Sequence, residues 1–270
     1  MTYMRNTQLN IFGLKDKIDK SIARLKYYEQ DAIDMNPDGY WLAFSGGKDS
    51  IVVYDLVKKS GVKHKVYMNL TTVDPPELIK FIRLNYKDVI FLRPPKSMYQ
   101  LIVHRGAPCT RITRDCCRYL KEYSGSNNIM ITGIRWQESN ARNKRQLFEA
   151  CYKNKTKKYL NAIIDWNESE IWQYIHDNNL AYPKLYDDGF KRIGCILCPM
   201  ATPKEKNLQI ARFPKFKQLY IHAFSKMLQV RIERNRPTEW KTGEEVFNWW
   251  IQDTNKSEEE DSCQLTLFGD

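Results

Sequence analysis

Tyr40-Trp41-Leu42-Ala43-Phe44-Ser45-Gly46-Gly47-Lys48-Asp49-Ser50 is the stretch that decides the fold. Its apolar first half reads as a buried parallel strand. Ile51 to Lys59, which follows, reads as a helix. A small-residue turn joins the two. Its glycines let the chain turn tightly and let a ligand approach bare backbone. The N–H groups that open the helix are unpaired and lie at its positive end. Such a place binds phosphate. Lys48 adds a cation, and Ser45 and Ser50 add hydroxyl donors. The plainer alternative is a strand–helix turn with a serine cap.

Outward from this turn, strands alternate with helices. Leu14, Ile18, Ile22, Leu25 and Tyr28 recur at helical spacing, and Asn36-Pro37-Asp38-Gly39 ends that helix. Strands are expected at 65–70, 89–92 and 129–132, with a helix over 77–85. The pattern predicts an α/β fold with a doubly wound, mostly parallel sheet, whose ligands lie beyond the carboxyl ends of the strands. Asn69, Thr71 and Asp74 are therefore candidates for nucleotide contacts, with turn and cap chemistry as the alternative. Gly133 and Arg135, with Arg142, follow a strand and suit a second phosphate contact. Residues 143–158 read as a mobile basic hairpin or loop. Helical stretches over 203–232 and 242–251 carry Phe213, Phe216, Tyr220, Phe224, Phe247, Trp249 and Trp250, which read as core. In domain terms, 1–12 is expected to be a loose N-terminus and 13–200 a phosphate-binding domain that includes the cysteines. Residues 201–251 form a helical C-terminal region, and 252–270 an acidic tail of disordered composition.

The 270 residues carry a formal charge of +11. That favours polyanionic ligands such as nucleotides, tRNA or DNA. The absence of an export signal and of a long apolar run argues for a cytoplasmic location and against a membrane. There are seven cysteines, and an odd number argues against a disulfide framework. Four are grouped as Cys116-Cys117 and Cys195-x-x-Cys198, which suggests a metal or cluster site. Zinc and iron–sulfur clusters both accept four cysteines. Adjacent side chains on a helix diverge by about 100°. Binding both Cys116 and Cys117 to one small ion is therefore awkward, and a wider 4Fe–4S cluster takes them more easily. Cys109 is a reserve ligand, and the basic residues around the pair favour thiolate.

Taken together, SGGKDS, the tandem cysteines, Gly133-x-Arg135-x-x-Glu138-Ser139, Ile164-Asp165-Trp166, Leu185-Tyr186-Asp187-Asp188-Gly189-Phe190 and Gly194-Cys195-Ile196-Leu197-Cys198 resemble the iron–sulfur branch of the phosphoadenosine phosphosulfate (PAPS) reductase family, a PP-loop family. The resemblance runs over roughly 20–225. It implies the adenine nucleotide α-hydrolase-like fold and phosphate binding by Ser45, Gly46, Gly47, Lys48, Asp49 and Ser50. It also implies 4Fe–4S ligation by Cys116, Cys117, Cys195 and Cys198. Lys48, Asp49 and Arg135 are the expected catalytic groups.

Within that family the expected reaction uses ATP with Mg2+, activates an acceptor at the α-phosphate and releases pyrophosphate. Sulfur is then delivered, as in the sulfurtransferases of DNA phosphorothioation and tRNA thiolation, with a cysteine desulfurase as a candidate partner. The runner-up is a reductase releasing sulfite from adenylyl sulfate or PAPS with thioredoxin as reductant. Against it, the reductase ECGxH-type segment is missing, and the late Cys263 has neither the Gly nor the His. A nucleotide-binding adaptor is the third reading. Gln264-Leu265-Thr266-Leu267-Phe268 is similar to the peptide by which bacterial repair proteins bind the sliding clamp, and a tail folding back on the body is the alternative.

Overall fold

The computed structural model describes residues 2–252, apart from 153 and 237 and the side chains of 2–12. Cys263 and the 264–268 peptide lie outside the described residues. The chain divides into two compact units. The first comprises Met1–Met68, Lys80–Phe91 and Gly125–Lys184, and the second Asn69–Ile79, Leu92–Ser124 and Leu185–Asp270.

The first unit carries the sheet. Strands β1 (Tyr40–Ala43), β2 (His64–Asn69), β3 (Val89–Leu92), β4 (Asn128–Ile131), β5 (Phe148–Ala150) and β6 (Lys157–Leu160) lie in the order β3-β2-β1-β4-β6-β5. The pairs β1–β2, β1–β4 and β4–β6 are parallel, and β5–β6 is antiparallel. The sheet is thus mostly parallel, as expected, and 143–158, expected as a mobile loop or hairpin, supplies its antiparallel edge. The strand order reverses at β1, with β2 on one side and β4 on the other. Ligands of open α/β sheets bind at such a switch point. The segments leaving β1 and β4 are the ones that carry Ser45–Ser50 and Gly133–Arg135.

Helix α1 spans Thr2–Tyr27 and α2 spans Glu29–Met35. The helix therefore begins ten residues or so earlier than the spacing from Leu14 implies, because no proline interrupts the stretch to stop the backbone ladder. Helix α1 is fastened to the segment after β6. Arg24 donates to both carboxylate oxygens of Asp165, at 2.7 and 3.0 Å, and Lys17 pairs with Glu170 at 2.7 Å. The Trp166 indole donates to the Ser21 hydroxyl at 3.1 Å.

Burial alone would raise the Asp165 pKa, but the Arg24 guanidinium outweighs it and holds the carboxyl below its ordinary 3.8. The pair therefore stabilises the fold above the ordinary carboxylate pKa, and that share disappears as pH falls through the depressed value. Arg24→Ala should cost about 1–2 kcal/mol at neutral pH, since both side chains are one-fifth exposed. In urea titrations the gap from wild type should close as pH falls through the depressed Asp165 value. A gap independent of pH would mean the loss is one of packing.

The second unit is built on helices α5 (Met98–Arg105), α9 (Pro203–Arg212), α10 (Pro214–Glu233) and α11 (Gly243–Gln252). Pro214 opens α10, so the stretch 203–232 is two helices rather than one. Tyr220, Phe224, Phe247 and Trp250 are almost wholly buried in one cluster with Cys109, Cys116, Ile196 and Leu197. The cysteine-bearing segments thus share their core with the helices beyond residue 200. The Trp250 indole, for example, donates to the Cys109 carbonyl at 2.6 Å.

Candidate functional site: a phosphate cradle and a cysteine centre

The turn after β1 is laced by its own serines. The Ser50 hydroxyl donates to the Gly47 carbonyl at 2.8 Å, and Ser45 Oγ lies 3.2 Å from Ser50 Oγ. Ser50 is buried. The two hydroxyls expected to reach phosphate thus shape the turn from within. Gly46 has φ +71°, a conformation a side chain would strain. Helix α3 (Lys48–Ser60) begins at Lys48 with Gly47 as its N-cap, and no side chain caps it. A helix start of this kind, at the positive end of the helix, is suited to an anion.

Two buried cations flank this turn. Lys48 is 6% exposed and Arg135 is 3% exposed. Arg135 Nε donates to Asp49 Oδ1 at 2.6 Å. Lys48 Nζ lies 3.6 Å from Asp49 Oδ2 and 3.5 Å from Glu168 Oε1. Arg135 also reaches Gln137 Oε1 at 3.4 Å, and that oxygen accepts the Glu168 backbone N–H at 2.7 Å. The contacts close a ring through Lys48, Glu168, Gln137, Arg135 and Asp49.

Gly133, leaving β4, lets this ring form. A Cβ there would sit 3.1–3.3 Å from Asp49 backbone and side-chain atoms, closer than side chains pack comfortably. Gly133→Ala should accordingly weaken ligand binding at the turn several-fold with little change in melting temperature. An equal fall in melting temperature would point to general misfolding instead.

The sequence reading paired Lys48, Asp49, Gly133 and Arg135 with the turn, and the structure brings all four together. Glu168 and Gln137 went unsingled. Glu168 stands at the first position of α8 (Glu168–Asp177), where an acidic residue is already explained by the helix dipole. Arg142, offered as a second phosphate contact, instead pairs with Glu138.

Asn69, with Thr71 and Asp74, falls in the second unit. Its amide nitrogen donates to the Lys121 carbonyl at 2.7 Å, and its oxygen accepts from Ser124 at 2.8 Å. Thr71 and Asp74 make a turn: the Thr71 N–H and hydroxyl both donate to the Asp74 carboxylate, at 2.7 and 2.8 Å.

In the second unit the cysteines gather. Cys116 and Cys117 open the short helix α6 (Asp115–Leu120), after Arg114 in a left-handed conformation at φ +40°. Cys195 and Cys198 bracket Leu197, also left-handed at φ +55°. A non-glycine residue in that region is held there by its surroundings. Here the Leu197 N–H donates to Gln209 Oε1 at 2.6 Å and the Ile196 N–H to the Val73 carbonyl at 2.7 Å.

Three of the thiols are hydrogen-bonded in a chain, Cys109 to Cys116 to Cys117. Hydrogen bonding to Cys109 pushes the Cys116 thiol up to about 12, with the negative field of Cys198 among the further causes. Hydrogen bonding to Cys116 likewise raises Cys117. Cys109, bonded to Cys116 and facing Arg105, is lowered despite its burial. Burial raises Cys195, and Lys121 and a hydrogen bond from Thr71 oppose that. The Lys121 ammonium is raised by the field of Cys195, then those of Cys198 and Cys117. Arg114 reaches Cys117 Sγ at 3.9 Å. The donor chemistry is therefore three hydrogen-bonded thiols, Cys109, Cys116 and Cys117, in a cationic surround, with Cys195 and Cys198 acting on it through their fields. Among the described residues no three His, Cys, Asp or Glu converge as one metal ion would need.

Comparison with known proteins follows the fold. The crystal structure of a PAPS reductase from Candida auris, a phosphate complex, is similar at a TM-score of 0.50 and 19% identity, over 65% of this chain and 88% of that one. That likeness speaks to the fold. An uncharacterized protein of Methanocaldococcus jannaschii is 30% identical over 234 residues, 80% of this chain and 54% of that protein. The chain thus spans about half the length of that relative. Adenosine 5'-phosphosulfate reductase of Oceanobacillus iheyensis is 26% identical over 182 residues, 63% of this chain and 75% of that enzyme. No described helix is long and apolar enough to cross a membrane. The model of the phosphoadenosine phosphosulfate reductase domain matches residues 39–201, well over half of the chain, and the chain belongs to that enzyme family.

Proposed function

We propose that this chain binds an adenine nucleotide by its phosphates at Ser45–Ser50, activates an acceptor at the α-phosphate of ATP, and carries a 4Fe–4S cluster on Cys116, Cys117, Cys195 and Cys198. The observation that carries the reading is the pair of buried cations, Lys48 and Arg135, beside a helix start that no N-cap side chain closes. In that role the acceptor oxygen bonds to the α-phosphorus as the bond to the β-phosphate bridge breaks, and pyrophosphate departs with the electron pair. The turn amides, Lys48 and Arg135 stabilise the charge that develops on it. Asp49 keeps Arg135 aimed through the 2.6 Å contact. Magnesium enters with ATP as part of the substrate.

The cluster reading is supported by the donor chemistry, cysteine thiols in the cationic surround of Lys121 and Arg114. Such a group would supply electron- or sulfur-transfer chemistry. The charge of +11 supports a nucleic-acid acceptor, DNA or tRNA, held through its phosphates. Labelled ATP, adenylyl sulfate and PAPS incubated in parallel with the protein and candidate acceptors test this reading. Acceptor-dependent pyrophosphate release is expected.

A second reading, a sulfonucleotide reductase, is favoured by the similarity to the Oceanobacillus enzyme. It requires sulfite release from adenylyl sulfate or PAPS, lost on Cys263→Ser. Nucleotide binding with neither product would leave an adaptor.

A further inference from the structure

We propose that Glu168 is a charge gate on the phosphate cradle: its carboxylate partners Lys48 in the nucleotide-free protein and must swing away for a phosphate group to take its place. The proposal rests on the nucleotide reading above and adds the determinant of how strongly phosphate number counts.

Lys48 has two carboxylates beside it, and they are not equivalent. Asp49 is tied at 2.6 Å to Arg135, whose side chain is 3% exposed, so it stays where it is. Glu168 is held more loosely. Its contact is 3.5 Å and its side chain is 57% exposed, while the side chain of Lys48 is only 8% exposed. Of the two carboxylates, Glu168 is therefore the one that yields more easily. Its backbone does not move with it, because the N–H is fixed on Gln137 at 2.7 Å and the Asn167 side chain caps α8 through Glu170. Rotation of one exposed side chain opens the cradle without unwinding the helix.

The electrostatics follow. Lys48 and Arg135 carry two positive charges, and Asp49 and Glu168 two negative ones. The closed ring is therefore neutral, although it surrounds a helix start built to attract anions. An incoming phosphate must displace Glu168 and then tolerate its carboxylate nearby. That penalty scales with ligand charge: largest for ATP, smaller for AMP and absent for adenosine. Glu168 thereby holds back highly charged ligands and sharpens the dependence of binding on ionic strength.

Calorimetric titrations of ATP, AMP and adenosine into wild type, Glu168→Gln, Glu168→Asp and Lys48→Ala test the gate. Glu168→Gln keeps the size and removes the charge. It should tighten ATP binding by roughly fivefold, tighten AMP less and leave adenosine unchanged, and the gain should shrink with added salt. Glu168→Asp, which retains the charge, should stay near wild type. A merely structural role would change all three ligands alike. Equal effects across ligands, or no tightening of ATP while Lys48→Ala abolishes binding, overturn the gate and leave the nucleotide reading intact. Failure of wild type to bind ATP, or wild-type affinity in Lys48→Ala, removes both.

Discussion

Lys48→Ala should weaken ATP and adenylyl sulfate binding by on the order of a hundredfold, about 2.7 kcal/mol. Two losses add up. The phosphate forfeits a charge-assisted hydrogen bond from a donor that is 6% exposed and so poorly replaced by water. The deletion also leaves Asp49 and Glu168, 3.6 and 3.5 Å from the vanished ammonium, facing the ligand with one cation fewer between them. Lys48→Arg is not a neutral control, since a planar fork does not fit a space shaped for a point charge. Calorimetry with each ligand reads the effect. Loss of less than about threefold would mean that phosphate does not sit against this side chain.

The second large effect concerns metal. Replacing any one of Cys116, Cys117, Cys195 or Cys198 by serine should abolish most of the iron bound after anaerobic reconstitution, with the visible thiolate-to-iron absorption. Cys151→Ser should leave both unchanged. Cys109→Ser should retain the iron, because Cys109 lies in the core, hydrogen-bonded to Cys116 and facing Arg105. Stripping the metal with a chelator should loosen the second unit, whose core holds Cys116 beside Tyr220 and Trp250. Stoichiometric zinc with no iron would keep the ligands and change the chemistry. Iron retained in all four variants would dissolve the assignment.

Much of the fold was legible because strand and helix patterns are local. The apolar run at 40–44 became β1, the turn became the start of α3, and 89–92 appeared as β3 with the bounds expected. The reach of α1 was missed because Asn6 to Asn10 reads as polar and indifferent, and only the absence of a helix breaker marks it. The partition into units was missed for a different reason. It depends on which distant segments share a core, and nothing in the spacing of Cys116 or Cys195 says that they pack with Trp250. Of the cradle, Lys48, Asp49, Gly133 and Arg135 could be read because a turn after a strand demands them. Glu168 could not, since its position at the start of α8 has a sufficient local explanation. Asn69 was read by its place beyond β2, and its amide is satisfied instead by Lys121 and Ser124.

The central claim is that a nucleotide's phosphates rest on the Ser45–Ser50 turn. Backbone hydrogen exchange, followed by mass spectrometry with and without saturating ATP, addresses it directly. Added protection is expected over 45–51 and 133–137, weaker with AMP and lost in Lys48→Ala. Saturating ATP that slows exchange elsewhere while leaving those two segments unchanged would contradict it.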